Sequence, residues 1–212
     1  WKLVAPQIDV DNEEGFGTAR NAVLRIGKVP VLYAPYFKFP IDDRRMTGLL
    51  YPKLSLSGRN GFDYGQPIYF NLAPNYDDTL TPRYMSKRGL MLNNEVRYLN
   101  TAYGGQYSGR ATADYLPNDR VSDGKDRYGF SLNHVQTLPN GFSGLINYNK
   151  VSDNDYFTDL SSNVSQTSQV LLPQQGVLSY GGDWWSATAN FQQYQTLQPD
   201  PEQPKNYPYE MM

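Results

Sequence analysis

What most narrows the folds open to this chain is a period of two that returns, segment after segment, from about residue 50 onward. In segment 106–116, Tyr107, Gly109, Ala111, Ala113 and Tyr115 alternate with Ser108, Arg110, Thr112 and Asp114. Successive side chains of a strand point to opposite faces. One face is therefore small, apolar and aromatic, and the other is polar and charged. No stretch is apolar for long enough to cross a membrane as a helix. A wall between lipid and water carries this pattern, which is the signature of a transmembrane β-barrel.

About nine such strands are legible, over 49–57, 62–72, 79–86, 90–99, 106–116, 128–137, 142–151, 169–179 and 184–196. Asn60-Gly61, inside the turn Gly58-Arg59-Asn60-Gly61, is a strong hairpin signal. Residues 73–78 form the next turn. Further along, long connections (117–127, 152–168, 197–208) alternate with short ones (100–105, 138–141, 180–183). Membrane barrels keep short turns on the periplasmic side and long loops outside. The first strand then enters from the periplasm, and the segment before it is periplasmic. A soluble β-sandwich also alternates. Two points favour the membrane. The polar faces carry Glu95, Arg97, Arg110 and Asp114, which suit a wet lumen. The apolar faces are rich in Gly, Ala and terminal aromatics, where a packed core prefers large aliphatics. The 18 tyrosines suit a membrane interface, although Tyr is also a good strand residue.

Residues 1–41 read differently. Residues 22–26 and 29–33 are short β-rich runs around Gly27-Lys28, and Pro30, Pro35 and Pro40 fall five residues apart. Proline cannot donate to a central ladder, so an edge or connecting strand is expected here. The charged run Asp42-Asp43-Arg44-Arg45 marks a boundary. It divides the end of a small β-domain with its hinge, 1–45, from the barrel strands, 46–212. The chain opens on Trp1 without a leader and stops at Met212 after a Pro-rich loop, as a piece of a longer protein does.

Composition removes several function classes. With 19 basic and 21 acidic groups, net −2, charge offers no argument for nucleic acid or anionic lipid. Without cysteine there is no disulfide, zinc–thiolate site or thiol nucleophile in this stretch. The single histidine, His134, reads as a structural or lumen-facing polar group, since a general base needs a partner within reach. Asp153, Asp155 and Asp159 have a loose calcium-like spacing. Their loop lacks the glycine and distal glutamate of a calcium hand, and reads as a solvated external loop. No catalytic motif, metal site or cofactor site is expected.

Specific residues carry more than the pattern. Gly17-Thr18-Ala19-Arg20-Asn21, residues 29–37 (VPVLYAPYF) and residues 40–48 (PIDDRRMTG) resemble the domain junction of the LptD family, the lipopolysaccharide-assembly outer-membrane proteins. Asn71-Leu72-Ala73-Pro74-Asn75-Tyr76-Asp77, Thr81-Pro82-Arg83-Tyr84, Arg88-Gly89 and Glu95-Val96-Arg97-Tyr98-Leu99 resemble that family too. So do Asp114-Tyr115-Leu116-Pro117 and Val151-Ser152-Asp153 before Tyr156-Phe157, all in order.

The resemblance implies an all-β chain: the end of a periplasmic β-jellyroll followed by the first strands of a very large barrel. It implies lipopolysaccharide as cargo, the lipoprotein LptE as a plug, a periplasmic bridge of jellyroll proteins as donor, and outer-membrane lipid as surroundings. Acyl chains pass along the jellyroll, for which Ile26 and Val31 are candidates, and sugars pass through the lumen. The cargo leaves sideways between the first and last strands. Prolines in the first two strands are associated with that lateral gate in the family, and Pro52 and Pro67 match. Ser55, Ser57, Asn93, Glu95, Arg97, Arg110 and Asp114 form the lumen-facing candidate surface for glycan or plug. The competing reading from pattern alone is a passive porin or structural barrel.

Overall fold

A computed structural model describes residues 2–13, 15–42, 44–102, 104–161 and 170–198, and the backbone of 210–211. Asp43, residues 162–169 and residues 199–209, and with them parts of the expected connections 152–168 and 197–208, lie outside the described residues. The chain is all-β with antiparallel pairing and divides into two compact units. One comprises Trp1–Gly48 with Tyr69–Asn71, the other Leu49–Ile68 with Leu72–Met212.

The first unit is built on a four-stranded sheet of β1 (Lys2–Val4), β2 (Gln7–Asp11), β3 (Phe16–Ile26) and β4 (Val29–Pro40). β3 is central; β1 and β2 pair along it on one side and β4 on the other. Strand β4 carries all three prolines and lies at an edge, where missing N–H groups cost least. Asn21 adopts a left-handed backbone, φ 51°. The irregularity shifts the parity of β3, so Gly17 and Ala19 before it and Ala22 and Leu24 after it are the buried positions. In the charged run, Arg44 binds Asp42 at 2.6 Å, and that hydrogen bond holds the Asp42 carboxyl below the usual carboxylate range.

The chain continues through β5 (Gly48–Leu49), β6 (Lys53–Ser57), β7 (Gly61–Gly65), β8 (Ile68–Ala73), β9 (Tyr76–Met85), β10 (Gly89–Ala102) and β11 (Gly105–Asp119). Then come β12 (Lys125–Thr137), β13 (Phe142–Val151), a five-residue helix α1 (Tyr156–Leu160), β14 (Leu171–Gly181), β15 (Ser186–Thr196) and β16 (Glu210–Met211). These strands form a sheet ordered β16-β15-β14-β13-β12-β11-β10-β9-β7-β6, with β8 beside β9 and β5 beside β8. Each strand from β9 to β15 follows its predecessor as a simple antiparallel meander.

From β9 to β12 the strands run further than the hydrophobic pattern, while the expected strand 184–196 begins only at Ser186. β9 begins at Tyr76, inside the expected turn. β11 and β12 extend until only Arg120–Gly124 separates them, in place of a loop over 117–127. Pro117 is accommodated by a register shift between Leu116 and Asp119. Ladder pairing needs only backbone, so it outlasts the alternation that lipid demands.

The apolar face carries two aromatic rows. Near the long loops, Tyr64 faces Tyr84 and Tyr115 faces Tyr128. Near the short turns, Tyr98 stacks on Tyr76 at 6.2 Å, and Tyr107 lies 6.1 Å from Tyr98. Phe142, Tyr180 and Trp185 continue that row, with centroids 4.7 and 4.2 Å apart. Tyr107 and Tyr115 of β11 are eight residues apart, about 27 Å of strand. Two aromatic girdles flanking an apolar band are what a membrane-spanning sheet presents to lipid. His134 belongs to the lower girdle. It sits opposite Gly109, and its Nδ1 shares a 2.7 Å hydrogen bond with the Tyr98 hydroxyl. It is therefore not lumen-facing: β12 places it on the apolar face, where a tyrosine hydroxyl satisfies its ring nitrogen.

Gly109 makes this girdle possible. A Cβ there would lie 2.4 Å from the Tyr98 hydroxyl oxygen and 2.7 Å from the Asn133 carbonyl oxygen. The phenol ring takes the place of the missing side chain.

At the opposite end the strands share a small core of Met85, Met91, Leu116, Val151, Leu172 and Leu197, closed by Tyr156 and Leu160 of α1. Beside it lies a buried ion cluster. Asp119, fully buried, accepts from Arg88 at 2.6 Å and Arg127 at 3.2 Å. Arg127 also binds Asp153 at 2.6 Å and Asp159 at 2.8 Å. These two aspartates are thus not a solvated loop; they neutralise guanidinium groups that the core desolvates.

Two outcomes are expected for full-length protein carrying this stretch. Gly109→Val should cost about 1–3 kcal/mol through overpacking, seen as a lower temperature for loss of the compact, heat-modifiable gel form. Asp119→Ala removes the one fully buried carboxylate of the cluster and leaves Arg88 and Arg127 to share Asp159, with Asp153 on Arg127. It should cost about 1–3 kcal/mol, the penalty of buried donors left unpaired, and deplete folded protein from the outer membrane by the same assay.

Candidate functional site: a broken first hairpin beside a polar wall

The two expected strands 49–57 and 62–72 are each interrupted, and the interruptions lie at the prolines. β5 ends at Leu49 and β6 begins at Lys53, leaving Leu50–Pro52 between them; β7 ends at Gly65 and β8 begins at Ile68, leaving Gln66–Pro67. Between the hairpin turn and the breaks the pairing is regular, from Ser57 opposite Gly61 to Lys53 opposite Gly65. At the breaks, Leu50 N–H still donates to the Pro67 carbonyl at 2.9 Å, and Gln66 N–H donates to the Pro82 carbonyl at 3.0 Å. Proline has no N–H and so cannot return a backbone bond.

The other end of the hairpin is firmly held. Asn60, buried in the turn, accepts from Arg88 Nε at 2.8 Å. The Phe62 carbonyl accepts from Ser86 N–H at 2.8 Å, and Lys87 Nζ donates to the Gly58 carbonyl at 2.6 Å. Arg59 donates to the Thr158 carbonyl of α1. Arg83 bridges the hairpin and the same helix, binding Asp63 at 2.6 Å and donating to the Leu160 carbonyl at 2.8 Å. The Tyr156 hydroxyl donates to Asp114 at 3.1 Å, across a gap that Gly129 leaves open. Burial first, and the Asp114 charge second, push the Tyr156 phenol far above its usual pKa, so it remains a donor.

The expected lumen-facing residues all share one face by register, but they form three groups rather than one site. Asn93 donates to Asp114 at 2.8 Å. Glu95 accepts from Arg110 at 2.5 Å, while Arg97 binds Asp77 at 2.8 Å. Arg97 and Arg110 face each other directly, and these carboxylates offset their repulsion. Ser55 and Ser57 stay apart in the first hairpin, opposite Asp63 and Gly61. The Ser57 hydroxyl accepts the Asn60 N–H at 3.1 Å and so serves the turn.

Rows across the strands show what the sequence reading missed. One row reads Asp77, Arg97, Arg110, Asn133, Asn147, Gln175 and Gln192 across seven strands. It is charged over β9–β11 and carboxamide over β12–β15. Toward the short turns, the following row reads Leu99, Ser108, Val135, Leu145, Val177 and Asn190, so an apolar stripe crosses the polar face. Leu99 and Val135 are each 50% exposed, and a shallow cavity of about 460 Å³ lies along the stripe. The Tyr76–Tyr84 spacing, the same as Tyr107–Tyr115, is the signal that would have placed Asp77 in a strand. Asn147 and Asn149, either side of Tyr148, were the signal for the amide tract.

In the first unit, Ile26 pairs with Val29 beside the β3–β4 turn and is 44% exposed. Val31 falls in the register shift between Leu24 and Arg25. The two are near in chain but are not cross-strand partners, and Val31 is half-buried where Ile26 is exposed.

The chain is similar to known proteins over most of its length. Residues 125–212 match the family model described as LptD, LPS transport system D. The "LPS-assembly protein LptD" of Xanthomonas euvesicatoria pv. vesicatoria (strain 85-10) is 55% identical over 188 residues, 88% of this chain and 23% of that protein. The protein of the same name from Xylella fastidiosa (strain Temecula1 / ATCC 700964) is 53% identical over 188 residues, again 88% of this chain and 23% of its own length. The chain thus spans under a quarter of these relatives. With an antiparallel all-β fold and this extent of identity over 88% of its length, the chain belongs to the LptD family.

Proposed function

We propose that this stretch is part of a machine that carries lipopolysaccharide from the periplasm and inserts it into the outer leaflet of the outer membrane. Residues 1–45 are the end of the periplasmic jellyroll, and residues 46–212 the first strands of the barrel. Acyl chains travel past Ile26 and Val31, while the sugars follow the polar wall. The gate lies at the first hairpin, with Pro52 and Pro67 loosening its periplasmic end. The observation that carries this reading is the coincidence of both strand breaks with these prolines, on adjacent strands at the same level. A passive pore has no use for a weakened seam, because in lipid every unpaired backbone group is costly.

The polar wall supports a division of labour. Neutral carboxamides over β12–β15 both donate and accept, as sugar hydroxyls require. The apolar stripe through Leu99, Val135 and Leu145 suits the packing of a protein plug, the role assigned to the LptE lipoprotein, better than water. A periplasmic bridge of jellyroll proteins supplies the cargo to the first unit.

Two measurements test this. In the full-length protein, Pro52→Ala with Pro67→Ala restores up to two ladder donors at about 1 kcal/mol each. The open population should fall on the order of tenfold, with less lipopolysaccharide labelled at the cell surface and greater sensitivity to large antibiotics. Unchanged surface lipopolysaccharide would favour the passive barrel. Val135→Asp should reduce co-purification of the lipoprotein plug severalfold while the barrel still assembles; undiminished recovery would remove the stripe from the plug interface.

A further inference from the structure

In an antiparallel ladder, a hydrogen-bonded pair exchanges two bonds, each residue giving its N–H to the other's carbonyl. Leu50 and Pro67 are such a pair with one bond missing. Leu50 N–H donates to the Pro67 carbonyl at 2.9 Å. Proline has nothing to return, so the Leu50 carbonyl faces the second strand without its backbone donor. Gln66 supplies that donor from its side chain: Nε2 lies 2.8 Å from the Leu50 carbonyl oxygen. The same nitrogen donates to the Pro67 carbonyl at 3.1 Å. Its Oε1 accepts from the Tyr64 hydroxyl at 2.9 Å, which fixes the carboxamide in orientation. The Gln66 backbone is meanwhile committed to the neighbouring strand through Pro82.

We infer that Gln66 is a releasable rung: a positioning residue whose carboxamide closes the ladder where Pro67 opens it. A backbone rung breaks only when a strand moves. A side-chain rung breaks by rotation about its χ angles, and its donor can turn to Tyr64 or to passing polar groups. The hairpin is therefore sealed at rest, as a bilayer demands, yet opens without pulling the backbone of the second strand away from β9. The role of this rung in a gate rests on the lipopolysaccharide reading above; the rung itself does not.

The test uses the full-length protein in lipid nanodiscs, with backbone hydrogen exchange read by mass spectrometry. Gln66→Leu removes the donor at similar size. Exchange in residues 48–52 should accelerate by about fivefold or more, the factor one net hydrogen bond is worth, while β11 and β12 stay unchanged. Adding Pro67→Ala gives residue 67 its own N–H and should restore protection although position 66 is still leucine. Unchanged exchange in Gln66→Leu overturns the inference. So does equally fast exchange in the double variant, which would mean that Gln66 acts by packing. If Gln66→Leu does not assemble, Gln66→Glu, which keeps the acceptor for Tyr64 but donates nothing at neutral pH, makes the same comparison. Surface lipopolysaccharide is measured on the same variants. Altered delivery together with faster exchange places the rung in the gate. Faster exchange with unaltered delivery keeps the rung and removes the gate reading.

Discussion

The structure depends on one constraint: a sheet that meets lipid must satisfy its own backbone. No water is available within the hydrocarbon region to take an unpaired N–H or carbonyl. From β9 to β15 the chain obeys with a meander of successive antiparallel pairs. Strands of that kind leave little freedom, because any departure exposes backbone. Among the described residues of this sheet, the ladder is interrupted on adjacent strands only in the first hairpin, at Leu50–Pro52 and Gln66–Pro67. Side-chain chemistry takes over there, through the carboxamide of Gln66.

The two ends of that hairpin are opposites. Its turn is held through Asn60 and Arg88, and by contacts from Arg59 and Arg83 to α1, next to the small core and the Asp119 cluster. Its other end is held by a few hydrogen bonds around two prolines. On the gate reading proposed above, such a hairpin pivots about its anchored turn rather than detaching as a whole. The ion cluster is costly to build, since charges lose water there, and its members are held by one another and by donors and acceptors such as Asn60 and the Val121 N–H. It contributes a fixed point against which a looser element can move.

Much of the fold was legible because lipid imposes a simple code. Alternation placed every strand from β9 to β15, and the polar set Asn93, Glu95, Arg97, Arg110 and Asp114 falls on one face as expected. The code fails where its cause fades. Above the apolar band both faces become polar, so pattern ends early while pairing continues to Asp119 and from Lys125. Helix α1, five residues long, has too few turns to show a helical period. The ion cluster joins residues such as Arg127 and Asp159, over thirty positions apart, which no local signal records. Proline announces itself in a sequence; Gln66 does not, since its role exists only relative to Leu50 across the hairpin. Asp153 and Asp159 misled for the same reason: their partners are remote.

The spacing of the two aromatic rows has a mechanical consequence. Eight residues of β11 span about 27 Å along the strand, but barrel strands tilt by about 40°, which leaves roughly 20 Å along the membrane normal. A relaxed hydrocarbon layer is several ångströms thicker. Lipid beside these strands must compress to keep the phenol rings at the water boundary. Compressed bilayer stores elastic energy and disorders its acyl chains, so a sheet with this girdle spacing is bordered by a softened annulus, and the insertion proposed above would meet a lower cost there than in relaxed bilayer.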